Sequence, residues 1–292
     1  MEDNFRWVLV TAIAPVAWGS TYYVTREFLP AGHALYGAVF RALPAGLLLL
    51  AIRRRLPVGE WWWRSLVLGT LNMGAFFALV YLSAQLLPSS IASTVMATSP
   101  VVMMLFAWAL LAQRPRLLPM VGAGLGIAGV ALMLLTGTSV LDPRGVVASV
   151  AAMGMSAFGY VLATRWSTDV DVLSMTAWQL VAGGALLLPV AVVVDGAPPA
   201  LSAPALAAFG YVSVIATAVA FFAWFTGLRR LGPAAVGLVG LLNPVTGVLL
   251  GVLFAAEELG PRQLAGLVLV FTGIVLGQHR RKVTLAAAPA AG

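Results

Sequence analysis

Ten runs of apolar residues, interrupted only by short breaks that hold nearly all the charge, constrain this chain more than any other feature. They cover residues 7–26, 33–52, 64–86, 89–111, 116–136, 143–165, 173–194, 204–228, 233–255 and 261–279. An α-helix needs about 20 apolar residues to cross a hydrocarbon core about 30 Å thick, and each run is close to that length. The pattern predicts an all-α membrane protein with ten transmembrane helices. Composition agrees: 61% of the residues are hydrophobic and 9% charged, against about 45–50% and about 25% in an ordinary soluble protein. A soluble globular domain is excluded. The stretch from Trp7 to Val24 lacks a small-residue cleavage site before the next apolar run, so it reads as a retained first helix.

The charges divide by side. An even number of crossings puts both termini on one face, together with Arg6, Arg53, Arg54, Arg55, Arg64, Arg114, Arg116, Arg165, Arg229, Arg230, Arg280, Arg281 and Lys282, 13 of the 17 basic residues. The opposite face carries only Arg26, Arg144 and Arg262, and Arg41 lies inside a run. Because basic residues concentrate in cytoplasmic loops, both termini are expected in the cytoplasm of a bacterial inner membrane protein. The net charge of +7 thereby reads as a topology signal and not as a nucleic-acid footprint. The chain has no cysteine and two histidines, which excludes disulfides and a thiolate metal site.

The sequence repeats at a spacing of 144 residues, which places Pro100 on Pro244, Phe77 on Phe221, Ala112 on Ala256, Gln113 on Glu257, Gly122 on Gly266 and Gly129 on Gly273. This divides the chain into a first five-helix repeat (1–140), a second (141–283) and a C-terminal tail (284–292) expected to be disordered. Five is odd, so the second repeat is expected to cross in the opposite sense, an arrangement that in secondary transporters puts a substrate site between the halves.

Several local patterns also have a familiar order. Trp18-Gly19-Ser20-Thr21 lies in the first run and Phe40-Arg41-Ala42 in the second, the fourth and ninth runs hold a central proline, and Glu257 precedes Gly266 by nine residues. Together, over residues 7–279, these resemble the EamA-type permeases of the drug/metabolite transporter superfamily. The resemblance implies a central cavity lined by helices 1, 3, 4, 6, 8 and 9 with help from 2 and 7, while helices 5 and 10 pack outside. It also implies export of amino acids or related small metabolites, the aromatic amino-acid exporters being one branch. Gln113 departs from the family, which often has an acid there as well as at the position of Glu257.

Individual residues carry the candidate chemistry. A guanidinium deep in the bilayer is costly unless it faces a cavity or finds acceptors, so Arg41 is either a binding group for a substrate anion or a lock on exposed carbonyls of neighbouring helices. Pro100 and Pro244 each remove a backbone donor and free the carbonyl four residues earlier, Met96 and Gly240, making them candidate hinges. Trp18 and Tyr22 share one helical face, as do Phe77, Tyr81 and Gln85, then Ser156, Tyr160 and Thr164, and Thr217, Phe221 and Trp224. Such mixed aromatic and polar faces suit a small amphipathic ligand. Asn243, with Gly240 and Gly247 beside it, is the best placed of three mid-run amides; Asn72 and Gln179 equally serve as interhelical glue. The proposed substrate-binding set is Trp18, Tyr22, Arg41, Tyr81, Tyr160, Trp224 and Asn243. Trp61, Trp62 and Trp63 read as an interfacial anchor, and the glycines of the fifth and tenth runs as packing faces.

All ten acids fall in tails, breaks or run ends, so no carboxylate is expected at the midplane to carry a proton. No phosphate loop, HExxH or nucleophile elbow is present, and no cofactor is expected. The reading is a secondary transporter of small molecules in the lipid bilayer, monomeric or homodimeric, exporting by alternating access. A membrane-embedded enzyme and a non-transporting scaffold are the alternatives.

Overall fold

The computed structural model describes residues 2–28, 33–87, 89–134, 142–254 and 260–278. In chain order its elements are α1 (Glu2–Phe28), α2 (Ala34–Arg53), α3 (Trp61–Gly69), the π-helical turn π1 (Thr70–Gly74), α4 (Ala75–Leu86), α5 (Ser89–Met96), α6 (Ser99–Leu111) and α7 (Leu117–Leu134). They continue as α8 (Pro143–Trp166), α9 (Val172–Val194), α10 (Ala203–Ser213), π2 (Val214–Val219), α11 (Ala220–Leu231), α12 (Pro233–Val239), α13 (Leu242–Phe254) and α14 (Pro261–Gln278). No strand occurs among the described residues, and nine of their segments are long and apolar enough to cross a membrane. The chain is an all-α, multi-pass membrane protein.

Helix ends follow local chemistry. Asp142, Asp171 and Ser202 accept hydrogen bonds from exposed first-turn amides of α8, α9 and α10. Arg54 and Ala112 adopt left-handed backbone where α2 and α6 stop. The third and eighth apolar runs are not uniform α-helices, because π1 and π2 interrupt them at starts 144 residues apart. The fourth and ninth are each split in two. α5 ends at Met96 and α6 begins at Ser99, with Pro100 second in its first turn, where a missing amide costs nothing. In the ninth run Gly240 and Leu241 form the break. The Gly240 carbonyl is not left free as the proline rule implied: it accepts from the Asn243 amide at 3.0 Å, through a tighter turn.

Two antiparallel helix pairs join the halves. α7 and α14 meet through glycine: a methyl on Gly122 would lie 2.5 Å from the Gly273 carbonyl oxygen, and one on Gly129 would lie 2.6 Å from that of Gly266. Since Gly122 aligns with Gly266 and Gly129 with Gly273, this contact is reciprocal under the sequence offset. α2 and α9 form the second pair, with Gly46 against the Val181 backbone and Gly184 against Leu43. At one end of this pair Asp195 caps α2 by accepting from Leu35 and Tyr36 amides at 2.8 and 3.2 Å. At the other, Asp171 pairs with Arg53 at 3.3 Å.

Candidate functional site

An aromatic cluster forms where α1 and α8 meet α11. Trp18 of α1 sits 5.0 Å from Phe221 and 5.1 Å from Trp224 of α11, ring centre to ring centre. Tyr160 of α8 is 5.5 Å from Trp224 and 5.9 Å from Phe225, and Phe221 and Phe225 stack at 6.1 Å. Three residues selected from sequence, Trp18, Tyr160 and Trp224, thus come together from both halves of the chain. Offset and edge-to-face rings of this kind contribute about 0.5–1.5 kcal/mol per pair beyond burial.

Beneath the cluster runs π2, and it organises the polar groups. The Ala216 carbonyl accepts from Trp18 Nε1 at 3.1 Å and from an Arg41 Nη2 at 3.2 Å. Arg41 Nε donates to Thr217 Oγ1 at 2.8 Å, and that hydroxyl donates onward to the Val212 carbonyl, also at 2.8 Å. The guanidinium carbon stands 4.7 Å from the centre of the Phe77 ring of α4. Arg41 thus reaches both a side chain and a main-chain carbonyl of the irregular neighbouring turn π2.

The remaining candidates are spread more widely. Trp224 is 3% exposed and its Nε1 is buried with no hydrogen-bond partner among the described residues. Asn243 is half-buried at the start of α13, and its carbonyl oxygen would lie 2.7 Å from a methyl on Gly19, so α1 passes α13 at backbone distance. Trp224 packs on Gly240, where an added methyl would approach its ring to 3.2 Å. The side chains of Tyr22, Tyr81 and Gln85 lie outside the described residues, as do Glu257 and the 284–292 tail. Pro100 and Pro244 both stand in the first turn after a helix break.

The tryptophan triplet is not a uniform anchor. Trp62 and Trp63 are exposed, but Trp61 is buried and lies 5.6 Å from Trp178, whose Nε1 donates to the Arg55 carbonyl. Arg64 lies within 6 Å of the Trp61, Trp63 and Trp166 rings. The amides Asn72 and Gln179 do act as glue: Asn72 Nδ2 donates to Gln179 Oε1 at 2.7 Å. The Ala216 carbonyl was invisible to sequence reasoning, since an acceptor on the main chain has no residue type. Among the described residues no group of three or more His, Cys, Asp or Glu could hold a metal ion.

The sequence pattern of the EamA-like transporter family matches the chain twice, over residues 5–135 and 143–277. The chain belongs to the EamA-like transporter family. This EamA-like protein is 37% identical to Protein PecM of Dickeya dadantii over 91% of its own length and 90% of PecM. It is 28% identical to the uncharacterized transporter YvbV of Bacillus subtilis, over 97% of this chain and 95% of that one. It is also 28% identical to the uncharacterized inner membrane transporter YedA of Escherichia coli K12, over 89% of this chain and 87% of YedA. A crystal structure of a protein with 20% identity superposes at a TM-score of 0.75, over 93% of this chain and 96% of the other, which shows a shared fold.

In this EamA-like transporter the described aspartates that form contacts mark helix ends and not the site. Burial raises the Asp171 pKa, but hydrogen bonds from the Ser174 amide and hydroxyl and from Arg53 outweigh it, leaving the group below the usual carboxylate value. Asp142 is lowered by its hydrogen bonds with Arg144.

Proposed function

We propose that this EamA-like transporter exports amino acids or related small metabolites by alternating access between two inverted five-helix repeats, without chemistry on its cargo. The carrying observation is the aromatic cluster drawn from both halves, with the Arg41 guanidinium beside it. Rings flanked by hydrogen-bonding groups suit a small amphipathic molecule with an apolar side chain and an acceptor.

Repeat architecture is supported at several levels. The family pattern matches twice, α7 (Leu117–Leu134) recurs as α14 (Pro261–Gln278) at the 144-residue offset, and the equivalent helices of both joined pairs run antiparallel. Grouping α3 with π1 and α4, α5 with α6, α10 with π2 and α11, and α12 with α13 is compatible with ten crossings. The halves also differ in a way that suits one state of a cycle. On the basic face α12 packs on α6, where a methyl on Gly237 would lie 3.0 Å from Pro100 Cα and 3.2 Å from the Met103 sulfur. Among the described residues α5 makes no comparable packing on α13, and Gly247, which aligns with Met103, has nothing within 4 Å of where a side chain would begin. With the basic face cytoplasmic, this is a state closed to the cytoplasm. Pro100 and Pro244 flank the breaks at which α6 and α13 would pivot.

Flux from sealed liposomes against a panel of amino acids, with and without a pH gradient, tests the reading. Export of at least one apolar or aromatic amino acid is expected, with weak dependence on the proton gradient because the sequence places its acids in tails, breaks and run ends. Uphill transport driven by protons would redirect attention to Glu257 and His33. Labelling a cysteine placed at Arg54 from outside intact cells would overturn the assigned orientation.

A further inference from the structure

π-helical turns are rare insertions in α-helices and concentrate at functional positions. Here there are two among the described residues, starting at Thr70 and Val214. The third residue of each engages the other half of the chain. Ala216 in π2 receives Arg41 of α2 on its carbonyl, while Asn72 in π1 reaches Gln179 of α9 with its side chain. Positions 72 and 216 align under the offset, and so do helices α2 and α9.

Each turn also precedes a helix that carries rings of the site. α4 follows π1 and bears Phe77; α11 follows π2 and bears Phe221, Trp224 and Phe225. Converting a π turn to α register removes one residue from the turn and rotates all that follows by about 100°. Such a change in π1 would carry Phe77 away from Arg41. The contact that opposes it is fully buried: Asn72 is 0% exposed and Gln179 is 1%. Gln179 is itself held by its Nε2, which donates to the Met175 carbonyl at 3.3 Å. Asn72 Oδ1 has no hydrogen-bond partner among the described residues and is pressed against Gly159 of α8, where a methyl group would overlap it. The backbones also touch, since a methyl on Gly69 would lie 2.7 Å from the Gln179 carbonyl oxygen and one on Gly183 would lie 2.6 Å from Met73 Cβ.

We infer that Asn72 and Gln179 are positioning residues of the transport site: their amide pair holds π1 against α9 and so fixes the rotation of α4 that keeps Phe77 under Arg41. The inference rests on the transport reading above. The pair touches no cargo in this scheme, and its effect passes through the helix.

The test compares wild type with Asn72→Leu, Gln179→Leu and the double variant, by backbone hydrogen exchange over residues 66–80 and 210–224 in detergent and by flux in liposomes. Interhelical side-chain hydrogen bonds in membranes are modest, so each single variant should speed exchange around π1 about three- to tenfold and slow flux by a similar factor. Exchange around π2 should not change. The double variant should recover part of both, since it leaves no amide unpaired. Gly159→Ala, which displaces Asn72 without removing it, serves where a leucine variant does not fold and should show the same pattern more weakly. Unchanged exchange at π1, or an equal rise at both turns with a lower melting temperature, would overturn the inference and leave the pair as ordinary packing. Wild-type protein without flux for any amino acid would instead overturn the transport reading, while exchange would still decide whether the pair holds π1.

Discussion

The two π turns occupy equivalent places in the halves but are held by different chemistry. π1 is gripped by a neutral amide pair and by direct backbone approach through Gly69 and Gly183. π2 is gripped by a cation and an indole, which converge on one carbonyl from α2 and α1. Charge is costly at this depth, so its presence on one side only is informative. It falls where the aromatic cluster lies, and the neutral grip falls at the turn that leads into α4 and Phe77. The backbone device is shared and its chemical use is divided.

The largest effect should come from Arg41→Ala. Hydrogen bonds from charged donors contribute about 1.5–3 kcal/mol, and this change removes them from both Ala216 and Thr217. A fall in detergent melting temperature of several degrees and loss of more than about tenfold in flux for every substrate are expected. Arg41→Lys should fall between, because an ammonium cannot present the planar fork to both acceptors. If Arg41→Ala instead keeps its melting temperature and loses only acidic or zwitterionic substrates, the guanidinium serves the ligand and the contrast between the turns collapses.

A smaller effect should separate the two tryptophans. Trp18→Phe and Trp224→Phe lose similar volume, but only the first removes a hydrogen bond, to Ala216. About 1 kcal/mol of extra destabilisation is expected for Trp18→Phe. Trp224→Phe should leave stability nearer wild type and raise the KM for substrates that accept a hydrogen bond, as its buried Nε1 has no protein partner among the described residues. Equal melting curves for the two variants would remove the indole from the account of π2.

The smallest effect concerns pH at the far end of α9. Asp171 has a depressed pKa in the folded protein, so its contribution is present above the unfolded value of about 3.9 and is lost as pH falls through the lower folded value. Thermal stability of wild type should therefore decline relative to Asp171→Asn only below about pH 4, with no difference in slope near neutrality. Melting curves between pH 3 and 7 check this.

Much of the architecture was legible from sequence because hydropathy reports the solvent that each segment meets. The glycines of α7 and α14 announced close approach, although the reciprocal pairing of Gly122 with Gly273 needed coordinates. Trp18, Tyr160 and Trp224 were legible as ring-bearing faces, and they converge. What escaped was anything set by the main chain. A π turn adds one residue to a uniformly apolar run and leaves the hydropathy signal intact. The grips on the two turns also escaped the repeat, because Arg41 aligns with Ala185 and Gln179 with Leu35. Trp61 misled for a related reason: indoles at a membrane interface and indoles at a helix crossing have the same local sequence.

In the proposed cycle the halves exchange between two states, and the packing of α6 on α12 would close one side. The chain has no cysteine, so a cysteine pair at Met103 and Gly237 can be bridged with a short, cleavable thiol cross-linker in liposomes. Cross-linking should abolish flux of every substrate that the unlinked pair transports, and cleaving the linker should restore it. Undiminished flux through the cross-linked protein would contradict alternating access at this closure.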